Sequence, residues 1–209
     1  METIDRANRK LPRICAYLID AIIIILLISL ITEIRFLNPS YDKLLKSTER
    51  YSQYYKDYTN GKITTLEYNE NIEKITFDIY KSGTSNYIVS FVVIIGYLGI
   101  FQKYNKGQTI GKKLMKLKVA SIDDNEIPLV NFLLRIIPMY IYGLGGIFTL
   151  IACSCLPYLL SVNDLSVYIS SISICNLLLF LIDIEFFLIR KDRRSLHDLL
   201  SKTKIVESK

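Results

Sequence analysis

The sequence predicts an all-α membrane protein, a four-transmembrane-helix bundle with an exoplasmic helical hairpin and small cytoplasmic elements. Three observations predict it. Hydrophobic residues form 51% of the chain and are bunched into four blocks, whereas a soluble core scatters them at helical or strand period. Each block is close to the roughly 20 residues that cross about 30 Å of hydrocarbon. Lysine and arginine collect in the segments that share one side when the blocks are threaded in turn. The mean hydropathy of +0.29 agrees, and 209 residues leave room for one domain, residues 1–209.

The first block, 14–32, lies between Arg13 and Glu33 and as a helix would be roughly 28 Å long. Its basic approach (Arg6, Arg9, Lys10, Arg13) fits a signal peptide, but no small-residue cleavage site follows Ile31 and the apolar run carries Asp20. It reads as a retained anchor. The second span is 86–104. The third, 130–156, has Arg135 and Pro138 near its entry and a Gly-Leu-Gly-Gly stretch from Gly143 to Gly146, small residues suited to close helix packing or a kink. The fourth, 165–189, carries Asp183 and Glu185 near its far end, and Pro157 with Asn163-Asp164 marks a short turn before it.

Orientation follows from basic residues. The N-terminal tail, the loop 105–129 with its approach (Lys103, Lys106, Lys112, Lys113, Lys116, Lys118) and the tail 190–209 are rich in them. The turn between spans three and four has none, and the segment 33–85 balances eight basic against eight acidic residues. Basic excess marks the cytoplasmic side, so both termini are expected inside and 33–85 outside. The net charge of +6 then reports topology and anionic lipid contact rather than nucleic acid.

Within 33–85, Tyr51, Tyr54, Tyr55 and Tyr58 share one helical stripe, and Asn60-Gly61 is a turn signal. Thr64 and Glu67 have capping-box spacing, and Leu66, Ile72, Ile75 and Ile79 form a second apolar face. A pair of amphipathic helices is expected, serving either as a lid or as a packed exterior hairpin. In the inner loop, Leu114, Met115 and Leu117 alternate with lysines as in an interfacial helix, and Lys112, Lys113 and Lys116 are candidates for headgroup contact. LKVAS at 117–121 and KTKIVE at 202–207 read as two short strands that could pair.

Charges inside spans normally face protein or water and are paired. Arg13 and Asp20 lie seven apart on one helix face, and Asp183, Glu185 and Arg135 come from the same side at comparable depth. Asp20, Arg135, Asp183 and Glu185 are therefore the candidate ion or salt-bridge site. Two roles stay open for Asp20: part of a proton-or-cation site, or an internal salt bridge to Arg135 or Arg13. His197, the one histidine, lacks the companions of a metal site and falls at a helix start, with Ser195 capping and Asp198 in the first turn. Cys15, Cys153, Cys155 and Cys175 lie in or beside apolar blocks without zinc or redox spacing.

Three stretches, PRICAYLID (12–20), GQTIGKKLMKLKV (107–119) and DRRSLHDLLSKTKIV (192–206), resemble the signature blocks of the RDD family of bacterial membrane proteins. The family's arginine and two aspartates fall on Arg13, Asp20 and Asp198; its basic loop falls on Gly111–Lys113 and its later arginine on Arg135. The outer segment is longer and richer in tyrosine than is usual there, and the first block has less glycine and alanine. The resemblance implies a multi-pass protein of the bacterial plasma (inner) membrane, possessing a transport role such as cation/proton exchange. The expected function is therefore transport of a cation or an unknown ligand; the alternative is a non-catalytic scaffold or accessory subunit. An intramembrane aspartyl protease built on Asp20 and Asp183 is disfavoured, because no aspartate follows the glycines at 143–146. No catalytic residue, metal or cofactor is expected. The expected partners are the bilayer and a second copy or a membrane protein.

Overall fold

The computed structural model describes residues 10–123, 125–141 and 145–208. Arg6, Arg9 and Gly143, singled out above, lie outside them. The described residues are mostly helical, and three helices are long and apolar enough to cross a membrane: α1 (Lys10–Thr32), α4 (Thr84–Tyr104) and α8 (Val162–Ile189). Pro12 in the first turn of α1 costs no helical hydrogen bond. Ala16, Asp20, Ile24 and Ile28, spaced by four, form its buried stripe. Outward-facing Leu18, Ile22 and Leu26 stay exposed, an arrangement that fits lipid rather than water.

Between α1 and α4, α2 (Tyr41–Thr59) and α3 (Thr65–Ser82) pack together as a helical pair. Gly61 turns the chain at a φ of +70°, a conformation cheap only for glycine. The stripe expected on α2 forms, with Tyr58 stacking on Tyr68 at 4.3 Å and Tyr54 on the same ring at 6.2 Å. On α3 Ile75 is fully buried, but Leu66 is 70% exposed and falls off the expected face. The Thr64 side chain accepts from the Glu67 backbone N–H at 3.2 Å. Thr64→Ala is expected to weaken the first turn of α3 by about 1 kcal/mol, read as roughly fivefold faster amide exchange there.

The third apolar block differs from its expectation. In place of one helix over 130–156, α6 (Leu129–Ile136) stops before Pro138, β2 (Tyr140–Ile141) pairs antiparallel with β3 (Gly145–Gly146), and α7 (Ile147–Cys155) follows. Proline cannot continue the α6 ladder, and Gly145 takes a φ of +77°. At about 1.5 Å per residue neither α6 nor α7 alone crosses a bilayer. The turn before α8 is also shorter than expected, because Ser161 starts the helix and Asn163-Asp164 enter its first turn.

The main apolar core joins Ile24 and Ile28 of α1, Ile94 and Leu98 of α4, Ile136 of α6 and Leu150 of α7. At the end where α1 starts and α8 finishes lie α5 (Ile110–Leu114), β1 (Leu117–Ser121), α9 (Leu196–Leu200) and β4 (Thr203–Glu207). The two expected strands pair antiparallel, Leu117 opposite Glu207 and Ser121 opposite Thr203. This small sheet ties the loop after α4 to the segment after α8.

Candidate functional site

Asp198 is the centre of the charged end. Ser195 and Asp198 form a reciprocal capping box at the start of α9, which fixes the carboxylate in a fully buried position. Its Oδ2 accepts from Arg13 Nη2 at 2.8 Å and its Oδ1 from Arg135 Nη1 at 2.6 Å. Arg135 also donates to Thr203 Oγ1 and Arg13 to the Arg193 carbonyl, while the Arg13 guanidinium lies 4.6 Å over the Phe187 ring. Burial alone would raise the Asp198 pKa, but the charges of Arg135, His197 and Arg13 and the Arg135 hydrogen bond outweigh it and hold the carboxyl well below the usual range. A single carboxylate thus joins α1, α6 and α9, and Arg135 extends the link to β4 through Thr203.

Asp20 has a different set of partners from either arginine proposed for it. Its Oδ1 accepts from Tyr97 Oη at 2.7 Å and from the Gly111 N–H at 2.8 Å. Its Oδ2 accepts from Thr109 Oγ1 at 2.5 Å, and Lys112 Nζ lies 3.8 Å away. The carboxylate therefore docks the start of α5 against α1. The approach is close: a Cβ on Gly111 would fall 2.8 Å from Asp20 Oδ1 and against the Ala16 carbonyl. A π-helical stretch at Ile95–Phe101 turns Tyr97 inward to reach Asp20, and such stretches commonly mark functional sites. Neither Thr109 nor Tyr97 was among the expected site residues: Thr109 takes the N-cap of α5, a position its residue type favours, and nothing in the local sequence singles out Tyr97.

The other candidates separate. Asp183 accepts from the His197 N–H at 2.7 Å and contacts His197 Nδ1 at 2.9 Å, so it anchors the start of α9 to α8 instead of converging with Asp20. Glu185 is exposed on α8 and takes no part in the cluster. Lys113 and Lys116 are exposed as headgroup contacts require, but Lys112 is turned inward, its side chain 16% exposed. Burial pushes its ammonium down to about 8, Asp20 partly opposing. The four cysteines are free, Cys153 packing on Leu165 and Ile169.

A cavity of about 90 Å³ lies between these groups, lined by Arg13, Asp20, Lys112, Arg135 and His197 with apolar Leu98 and Met139. That is space for a few waters or a small ion. Asp20 and Arg135 therefore share one cavity although they do not pair.

No curated protein and no solved structure matches the chain. The RDD family model matches residues 10–202, a span that holds Arg13, Asp20, Asp198 and every charged group around the cavity. With three spanning-length apolar helices and this match over most of its length, the chain is a membrane protein that belongs to the RDD family.

Proposed function

We propose that this RDD protein acts in transport, with the charged cavity as the site that a small ligand or proton occupies in transit. The observation that carries the proposal is the meeting of Asp20, Lys112, Arg13 and Arg135 around one cavity, because an ionisable group inside a spanning helix, here Asp20 in α1, commonly marks a ligand or proton path. The chain is read as multi-pass in the bacterial plasma membrane, as one domain with both termini cytoplasmic and the α2–α3 pair outside. The fourth crossing is assigned to the broken segment α6–α7. Unwound backbone at membrane depth is tolerated where protein or a cavity surrounds it, and interrupted helices recur in transporters. The chain is read as non-enzymatic and as self-associating or joined to a membrane partner.

Lys112, with its pKa near 8, is the group suited to exchange a proton near neutral pH. In proteoliposomes loaded with a pH-sensitive dye, the wild-type chain is expected to release protons on a sodium or potassium jump, with an inflection near pH 8. Lys112→Gln should fall to the level of empty vesicles, and Lys112→Arg should lose the inflection. Absence of cation-linked proton movement in the wild-type vesicles rules out exchange.

One observation favours the scaffold alternative: Asp20 is saturated by Tyr97, Thr109 and Gly111, which is how a structural carboxylate is held. On that reading, Asp20→Asn reduces the amount of protein in the membrane, and deleting residues 41–81 releases a co-purifying partner.

A further inference from the structure

A second recess, about 440 Å³, runs between α1 and α8 and is separate from the small cavity except where Arg13, Tyr17, Met139 and His197 border both. Its volume is in the range of pockets that hold a ligand. Ile14 and Leu18 form one wall and Phe180, Ile184 and Leu188 the other. The two helices approach through the Tyr17–Phe180 ring pair, 6.2 Å between centroids, and through Arg13 over Phe187. Ile14, Leu18 and Leu188 are 44–53% exposed, so the recess opens on the outer surface of the bundle. In a bilayer that surface meets acyl chains, and an unfilled recess would forfeit dispersion contacts along both walls.

Two lysines lie about one turn beyond the walls of the recess. On α1, Lys10, Ile14 and Leu18 repeat every four residues, placing a cation above the apolar wall on one stripe. On α8, Lys191 follows Leu188 just beyond the helix end. Lys10 and Lys191 are exposed. Beside them, Arg190 and Arg194 already hold Asp192, the carboxylate nearest this rim in sequence. Asp183 and His197 face the recess but are paired with each other. An apolar slot with an exposed lysine beyond each wall, neither in an ion pair among the described residues, matches one kind of ligand.

We infer that the α1–α8 recess is a site for one anionic phospholipid, its acyl chain along Ile14, Leu18, Ile184 and Leu188 and its phosphate at Lys10 and Lys191. The site depends on the start of α1 and the end of α8 lying at a bilayer surface, and it is independent of whether the small cavity carries flux. Lysines near a membrane surface contribute about fivefold each in anionic-lipid preference. The test is native mass spectrometry of the full chain in mild detergent with equimolar phosphatidylglycerol and phosphatidylethanolamine.

The wild-type chain is expected to retain a single phosphatidylglycerol at least about fivefold over phosphatidylethanolamine. Leu18→Trp, which fills the slot, should remove the adduct of either lipid. Lys10→Gln with Lys191→Gln should keep binding but bring the ratio close to one. Equal retention of the two lipids by the wild-type chain overturns the inference and needs no variant, so it holds even where Leu18→Trp fails to fold. Undiminished adducts in a folded Leu18→Trp chain overturn it as well. Proton flux measured on the same Leu18→Trp chain separates this site from the transport proposal.

Discussion

Asp198→Ala is expected to be the most damaging single substitution at the charged end. It removes the acceptor of both Arg13 and Arg135, leaving two guanidinium groups, 11% and 5% exposed, with their main countercharge gone. Removing one member of a buried ion pair typically costs about 3–5 kcal/mol, mostly from the stranded partner. For a chain of this size that lowers the melting temperature by roughly 6–20 °C, measurable by heating detergent-solubilised protein and following the soluble monodisperse fraction. A melting temperature within about 1 °C of wild type would mean that the clamp holds nothing together. The pH dependence has a definite sign. Because the native carboxyl ionises below its unfolded value near 3.9, its stabilisation is complete above about pH 5 and disappears as pH falls through the lower native pKa. The gap between wild type and Asp198→Ala should therefore stay level from about pH 5 to 8 and close only in stronger acid.

Gly111→Ala is the second large effect. The added methyl would meet the Ala16 carbonyl and the Asp20 carboxylate, one backbone and one tightly held. Neither can swing away, so α5 must lift off α1. Lifting lengthens the Gly111 and Thr109 hydrogen bonds to Asp20 and leaves a buried carboxylate short of donors. Overpacking plus the lost donors is expected to cost roughly 2–4 kcal/mol. The same melting assay has an internal control: Gly96→Ala places its Cβ in open space and should stay within about 0.5 kcal/mol. Equal stability of the two variants would show that α5 does not sit against α1 in this way.

These two sites mark where local pattern stops being informative. The three long helices were legible from apolar block length, and the β1–β4 pair from two short alternating runs. The third block was misjudged because its composition is that of a helix throughout; Pro138 and the glycines at 145–146 interrupt the backbone without interrupting the hydropathy. Arg13 and Asp20 were visible as charges in or at the edge of an apolar span, and Asp198 only as a first-turn acid and through the resemblance; the pairing of Arg13 with Asp198 was not visible. Arg13 and Asp198 are far apart in the chain, and the nearer partner on the same helix face, Asp20, is taken by the backbone of α5. Hydrogen-bond geometry decided that exchange: Gly111 allows an approach that no side-chain pattern encodes.

The β1–β4 pairing sets an order of events during synthesis. Every spanning helix is made before β4, so Arg135 leaves the ribosome well ahead of both Asp198 and Thr203, the groups that finally satisfy it. Until then the nascent chain carries unmatched cations at the edge of the bilayer. Residues 195–207 supply the missing partners, and a chain interrupted before them leaves Arg13 and Arg135 without Asp198.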